Sequence, residues 1–468
     1  MASEGLPVER LREYLRELTP EAQALLVGEL ERGLLRAAEV PGSDLVLREL
    51  RRTIREHRKP PPRIGNPARL FFRPFEPFLV DDGADHRHRC RIARVSLEPI
   101  WSWIGRDVMP AETKSYSDGV SEALLAGNAT QVEMLASSFQ DRVAKRLPDV
   151  LANLQRDVRA MNRLTVQLAS KRAETDVETV ITILRNRDAF ATLDGQIANQ
   201  IKALAEPQLG RIKHLLESHL LSGLELLPFG LVLVMHRLAA PWQLIRLAVR
   251  AADSDATLRI ASTPFGAAVG IVLDEIERMV HELRDELKSG QGIAVIALLK
   301  EVHDAARGVR TEIDLSTDSP WSRHLSAIRA EVSNLVKAEI ESMPGRVRRL
   351  LRSRPAAEIA PGQILDPLDV AEVETLIGLV DACRHFAGEL AINEMTLRAV
   401  TEVHQYLDNG RQALLDGLRN AGDRDRAYRQ SQIEAAVRFC ASIFGHDYAA
   451  VLSKAAEVAG AERKAVPA

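Results

Sequence analysis

Cysteine is scarce in this chain. The 468 residues include only three, Cys90, Cys383 and Cys440, which lie far apart and form no CxxC pair. This usage argues against a disulfide framework and against a cysteine-rich zinc module, and it is typical of a reducing compartment. The first residues, MASEGLPVERLREYL, lack the basic-then-apolar order of a secretory signal peptide. We therefore expect a cytoplasmic protein.

Aromatic residues are also few, at 4% of the chain, and no run alternates β-branched with polar residues. Both features argue against a β-sandwich or barrel, whose strands depend on such residues. Ala, Leu, Glu and Arg dominate the composition, and all four favour helices. The sequence predicts an all-α fold, either a multi-helix bundle or an irregular helical array, with one short irregular aromatic and Arg-rich segment near residues 63–110.

Long hydrophobic runs are missing as well. The most apolar stretches are shorter than the ~20 residues that span a bilayer, and they are Leu224–Met235, Ile260–Leu273 and Ile293–Leu299. No transmembrane segment is predicted, and these stretches are interpreted as buried core helices. Peripheral attachment to a membrane through this apolar middle is an alternative.

Most catalytic signatures are absent. The chain has no GxxxxGK[ST] phosphate-binding loop, no GxSxG nucleophile elbow and no HRD or DFG pattern. His281-Glu282 resembles the start of a zinc-peptidase motif, but Asp285 stands where the second histidine belongs. That segment has the charge density of a solvated helix face. The sequence favours a non-enzymatic protein without deciding the question, and it predicts no cofactor.

Proline marks the divisions between helical segments. Pro60, Pro61 and Pro62 end one such segment, and residues 353–367 are again rich in proline, which disfavours the helix before it and favours extended backbone. These breaks predict an N-terminal helical segment (1–58), a proline-, aromatic- and Arg-rich irregular segment (59–110), a central helical body (111–352), a linker (353–367) and a C-terminal helical bundle (368–460).

One stretch repeats mostly apolar residues at alternating spacings of four and three. Its members are Leu147, Leu151, Leu154, Val158, Met161, Thr165 and Leu168. A period of 3.5 residues predicts the seam of a helical hairpin or a short coiled coil. Asn128 is predicted to cap a helix that runs towards Arg146, and Pro148 is predicted to open the next helix.

Residues 63–110 hold much of the aromatic content: Phe71, Phe72, Phe75, Phe78, Trp101 and Trp103. Pro74 and Pro77 argue against a regular helix before Val80. Residues 78–80 are the one predicted strand, and Ser96 is predicted to cap a helix. The phenylalanines are interpreted as a local core rather than as a stacking platform.

Arginines cluster in two places. The first set lies within the basic segment 48–94 and comprises Arg69, Arg73, Arg87, Arg89, Arg91 and Arg94; the second lies within 346–354 and comprises Arg346, Arg348, Arg349 and Arg352. Arginine interleaved with aromatic residues can bind single-stranded nucleic acid, so both sets are candidate nucleic-acid or anion sites. The alternative is arginine on solvated helix faces and at helix C-termini.

His86, His88 and Cys90 form a candidate metal site. In an extended segment alternate side chains point the same way, so these three could converge on one ion. The intervening Arg87 and Arg89 would repel a cation, and a basic loop is the alternative interpretation.

The leading hypothesis is a non-enzymatic helical interaction or scaffold protein that acts through amphipathic helix surfaces. Its partner is expected to be another protein or a second copy of itself. One alternative is a nucleic-acid- or anion-binding protein that uses the Arg-rich segments 48–94 and 346–354. The other is a peripheral membrane-associated helical protein.

Overall fold

A computed structural model gives the fold and describes residues 14–15, 18–35, 42–43, 46–47, 50, 65–218, 223–289, 292–316, 318–390 and 392–461. The predicted linker around Pro60 and the basic residues 51–58 lie outside the described residues. The chain divides into two compact units, Met1–Gln196 and Ile197–Ala468. This boundary falls inside the predicted central body, 111–352.

The first unit is built of helices joined by short turns. Its described α-helices are α1 (Pro20–Leu35), α2 (Pro67–Phe71), α3 (Leu97–Trp103), α4 (Pro110–Leu125), α5 (Ala129–Gln155), α6 (Val158–Gln167), α7 (Ala173–Arg185) and α8 (Arg187–Gln196). Shorter 3₁₀ pieces cover Arg73–Phe78 and Arg94–Ser96, and Ile104–Val108 form a π-helical turn. Much of the predicted irregular segment therefore consists of short helical pieces.

The second unit is also helical, which confirms the all-α fold class. Its described α-helices are α9 (Glu206–Glu217), α10 (Leu227–Arg237), α11 (Ile245–Ala252), α12 (Thr257–Ala261), α13 (Ala267–Ser289), α14 (Gly292–Glu312), α15 (Pro320–Leu351), α16 (Pro367–Leu390), α17 (Asn393–Arg419), α18 (Arg426–Phe444) and α19 (His446–Ala461). The five helices from α15 to α19 pack on one another as a C-terminal bundle.

Side-chain caps mark the start of some of the helices. The Oδ1 atom of Asn128 accepts a hydrogen bond from the Gln131 N–H at 3.1 Å, so the predicted cap of α5 is confirmed. Ser96 stands before α3, as predicted, but makes no side-chain capping bond. Its backbone is already helical (φ −77°, ψ −15°), whereas a capping residue normally has extended backbone that turns its oxygen towards the free amides.

An aromatic cluster forms a core in the first unit. The four phenylalanines are between 0% and 5% exposed: Phe71, Phe72, Phe75 and Phe78. Tyr116 of α4 stacks on Phe139 of α5, with 4.4 Å between ring centroids, and its hydroxyl donates to the Pro67 carbonyl at 2.9 Å. The interpretation as a local core is confirmed, and the rings tie α2, α4 and α5 together.

The predicted strand at 78–80 is also present. Leu79–Val80 form β1, which pairs in parallel with β2 (Ile92–Ala93). Leu79 lies opposite Ile92, and Val80 lies opposite Ala93. Both ends of the intervening loop, residues 81–91, are therefore held by the same pair of strands.

The predicted heptad seam is not one continuous helix. Helix α5 ends at Gln155, and α6 begins at Val158. Asp157 causes the break, because its backbone is extended (φ −127°, ψ 107°) and its Oδ1 atom accepts from the Arg159 N–H at 2.8 Å. Val158, a predicted seam residue, is 75% exposed. The seam residues are therefore divided between α5 and α6.

Pro148 does not open a helix, contrary to the prediction, but lies inside α5. An interior proline removes one backbone hydrogen bond and crowds the preceding turn. Leu147 and Leu151 on either side are 0% and 5% exposed, so burial of this face offsets that cost.

The apolar runs lie mainly in buried core helices, as predicted, although Leu224 at the start of the first run is 71% exposed. Leu231 of the first run, Ile271 of the second and Leu299 of the third are each 0% exposed. No helix in the described part of the chain is long and apolar enough to cross a membrane.

The proline-rich residues 353–367 connect α15 and α16 within the second unit and lie against the C-terminal bundle. Ile359 is 0% exposed, and its carbonyl accepts from Arg424 Nε at 2.9 Å. The Leu365 N–H donates to Ser431 Oγ at 2.9 Å. This segment is thus packed on the bundle by side-chain and backbone contacts.

Replacement of Phe139 by alanine should test the aromatic core. Because Phe139 is 0% exposed, its loss removes buried apolar area and leaves a cavity, which costs about 3–5 kcal/mol for a phenylalanine. Urea unfolding measures the change. Val166→Ala is the control, since Val166 is 79% exposed, and an equal effect of both substitutions would contradict the assigned core.

Candidate functional site

The loop that joins β1 to β2 is attached to the turn after α6. Ser170 Oγ donates to the Ala84 carbonyl at 3.1 Å, and the Lys171 N–H donates to Asp85 Oδ1 at 2.8 Å. Ala169 in this turn and Cys90 in the loop have φ values of 47° and 54°. Both therefore adopt left-handed backbone, which side-chain-bearing residues keep only when their surroundings enforce it.

Both histidines of the predicted metal site face one carboxylate. Asp82 has a side chain only 5% exposed, and its two oxygens lie 2.6 Å from His86 Nδ1 and 3.6 Å from His88 Nε2. The loop backbone turns here rather than extending, because the His86 N–H donates to the Gly83 carbonyl at 3.1 Å.

The side-chain alternation of an extended strand therefore does not apply to this loop. Among the described residues, His86, His88 and Cys90 do not form a group whose metal-binding atoms all lie within 4.8 Å of one another.

Burial keeps His88 and Asp176 neutral over much of the acidic pH range. Burial lowers the pKa of His88 to about 4, although Asp82 opposes this shift. Burial raises the pKa of Asp176 to about 6, although the hydrogen bond with Ser170 opposes it. Ser170 Oγ lies 3.1 Å from Asp176 Oδ2. A protonated Asp176 can donate to Ser170, which leaves the serine hydrogen for the Ala84 carbonyl. Protonation of Asp176 thus favours the attached loop.

Several arginines of the first predicted anion site have carboxylate partners within the first unit. Arg69 lies 3.8 Å from Glu31, and Arg73 is bonded to Glu133. Arg94 contacts both Glu76 and Asp81. Arg87 is exposed, Arg89 is half-buried and Arg91 is buried at 6% exposure. The set therefore does not form one continuous basic surface.

The second arginine set lies at the end of α15 and is also partly neutralised. Arg346 is bonded to Glu372 of α16, and Arg348 is bonded to Glu402 of α17. Arg349 and Arg352 are exposed and make no ion pair within the described ranges.

A groove of about 500 Å³ runs between α15 and α17. Its volume lies in the range of about 300–1,000 Å³ typical of binding clefts. Apolar atoms come from Pro344, Met395 and Ala399, and charged side chains come from Lys337, Glu341, Glu394, Arg398 and Glu402. An apolar floor with a charged rim is the arrangement found in protein interfaces. We name this site the α15–α17 groove.

Two charges on the rim of the groove are available to a partner. Lys337 and Glu341 lie 4.0 Å apart as an ion pair, and Glu402 is bonded to Arg348. Glu394 and Arg398 are exposed on α17, and neither forms an ion pair with another residue that the structure describes. The groove therefore offers one acidic and one basic contact, one helical turn apart.

Sequence patterns did not reveal this groove. Its two walls come from helices that are far apart along the chain, and no local spacing records which faces of α15 and α17 meet. The nearest signal was the Arg346–Arg352 cluster, because Arg348 contacts the rim residue Glu402.

No family model matches the chain, and no curated protein or solved structure is significantly similar to it.

The variant Asp176→Asn should isolate the pH dependence of the loop attachment. The unfolded chain releases the Asp176 proton near pH 4 and the native state near pH 6, so the native state binds more protons between these values. Wild-type stability from this group therefore falls as the pH rises through that window.

Asparagine mimics the protonated acid, so the Asp176→Asn variant does not lose this stability as the pH rises. Urea unfolding from pH 4 to pH 7 should show Asp176→Asn gaining stability relative to the wild type as the pH rises. The His88 contribution has the opposite sign but is common to both proteins, so it cancels. A pH-independent difference would contradict the assignment.

Proposed function

We propose that this chain is a non-enzymatic helical interaction protein that self-associates by placing its last helix, α19, in the α15–α17 groove of a second copy. The α15–α17 groove carries the proposal, since it combines an apolar floor with two available rim charges, Glu394 and Arg398. A groove of this kind suits an amphipathic helix with exposed apolar residues beside charges of both signs.

Helix α19 supplies such a surface. Its inner face is buried through Ala449, Leu452, Ala456 and Ala459. On the opposite side, Val451 is 70% exposed and Val458 is 56% exposed. The charged residues Lys454 and Glu457 are also exposed. The helix is thus apolar on two faces, and only one of them packs against its own bundle.

The charge spacing on α19 complements that of the groove. Lys454 and Glu457 are separated by three residues, or about 4.5 Å along the axis, and Glu394 and Arg398 by four residues, or about 6 Å. A parallel alignment brings Lys454 to Glu394 and Glu457 to Arg398. It also turns Val458 towards the apolar floor.

Two reciprocal α19–groove contacts give a closed dimer. One helix in one groove buries less than the roughly 1,200–2,000 Å² of a standard stable interface. If each copy inserts α19 into the groove of the other, two equal contacts form about a twofold axis. The expected product is a dimer rather than a filament.

The alternative functions have less support. Nucleic-acid binding through 346–354 is weakened because Arg346 and Arg348 already contact glutamates. Peripheral membrane attachment through the apolar middle is weakened because those runs are buried, as Leu231 and Ile271 illustrate.

Charge reversal tests the α19 contact. Arg398→Glu should weaken the dimer about tenfold or more, because it sets two carboxylates against each other. The double variant Arg398→Glu/Glu457→Arg should restore dimerisation, because the opposite charges face each other again. Light scattering over a protein concentration series measures both.

Two further variants define the site. Met395→Trp enlarges a half-buried side chain of the groove floor and should yield monomers. Arg349→Glu reverses an exposed cation that does not line the groove, and it should leave the dimer unchanged. A strictly monomeric wild type would contradict the proposal, as would a double variant no better than Arg398→Glu alone.

A further inference from the structure

Three side chains with metal-binding atoms converge where α13 packs against α15. Asp274 and Glu277 are three residues apart on α13, so they share one face of the helix. His324 lies near the start of α15, which Ser319 caps by accepting from the Ser322 N–H at 3.0 Å. One donor atom from each of the three residues lies within 4.8 Å of the other two.

One pair in this group has the spacing of two metal ligands. His324 Nε2 lies 3.3 Å from Glu277 Oε2. Two ligands of a tetrahedral Zn²⁺ ion, each about 2.0–2.1 Å from the metal, are roughly 3.3–3.5 Å apart. A charge-assisted N–H···O bond is shorter, at about 2.7–2.9 Å. His324 and Glu277 therefore lie at ion-pair distance, and the same separation also suits two ligands of one ion.

The group combines one buried side chain with two partly exposed ones. Asp274 is 1% exposed, and the side chains of Glu277 and His324 are 32% and 27% exposed. Two carboxylates at this separation repel each other, and the repulsion grows where water is excluded. A divalent cation converts the repulsion into attraction, and the partial exposure of Glu277 and His324 leaves an entry path from solvent.

The neighbouring Arg278 forms ion pairs with Glu275 and Glu282. Arg278 follows Glu277 in the sequence, but its guanidinium donates to Glu275 at 2.9 Å and to Glu282 at 2.8 Å. Its charge is thus paired along α13 with other carboxylates.

We propose that Asp274, Glu277 and His324 bind one divalent transition-metal ion, with Zn²⁺ preferred. One imidazole and two carboxylates suit Zn²⁺ or Mn²⁺, and Zn²⁺ binds more tightly in the usual order of affinities. Three protein ligands leave one position open for water. The site is independent of the proposed self-association, because none of its residues lines the α15–α17 groove.

Calorimetric titration of the full chain, after chelator treatment, tests the site. We expect one Zn²⁺ per chain, bound more tightly than Mn²⁺. Glu277→Gln and His324→Gln should each weaken Zn²⁺ binding at least tenfold, since even residues that only orient ligands contribute about 10–100-fold. Both positions are partly exposed, so these variants should fold, and circular dichroism verifies this.

His385→Gln is the matched control. His385 is an exposed helical histidine 3.9 Å from Asp381, and it should bind no ion, so its replacement should leave the affinity unchanged. X-ray absorption at the zinc edge should show one imidazole ligand in the wild type and none in His324→Gln. Absence of stoichiometric Zn²⁺ binding, or wild-type affinity in both Glu277→Gln and His324→Gln, would overturn the proposal.

Discussion

An isolated helix in water gains little net stability from its own hydrogen bonds, so the long helices of this chain depend on neighbours that cover their apolar faces. Ile271 and Val272 of α13 are both 0% exposed, and the aromatic cluster around Phe139 has the same role in the first unit. Apolar surfaces that no neighbouring helix covers are therefore candidate binding surfaces. The outer valines of α19 and the floor of the α15–α17 groove are two apolar surfaces that the chain leaves partly uncovered.

Packing of the apolar helix faces also buries a few acidic side chains. Asp176 and Asp274 are 5% and 1% exposed. Burial disfavours the charged form of a carboxyl unless a proton, a hydrogen bond or a cation compensates. At Asp176 a proton compensates at acidic pH. The protonated side chain leaves the Ser170 hydroxyl free to donate to the Ala84 carbonyl of the 81–91 loop. In the proposed metal site Asp274 is the buried ligand, with Glu277 and His324 as the other two.

Local signals predicted local structure well. Asn128 begins α5, residues 79–80 form the strand, and the phenylalanines of 63–110 are buried. Errors arose where one residue's local bonding overrode a periodic pattern. Asp157 divides the predicted seam because it accepts from the Arg159 N–H, and the turn at Gly83 prevents the strand-like alternation assumed for His86, His88 and Cys90. The arginine clusters looked more basic in the sequence than they are in the structure, because their carboxylate partners come from other segments of the chain.

Helical content, the Asn128 cap and the buried apolar runs follow from patterns a few residues long, because backbone propensity and side-chain periodicity act over single turns. Tertiary packing alone decided which helix faces meet. It set His324 beside Glu277, placed Glu402 against Arg348, and left Glu394 and Arg398 on the rim of the α15–α17 groove. These pairings join residues tens of positions apart. No spacing within a single helix records such contacts, because they arise only when the helices pack.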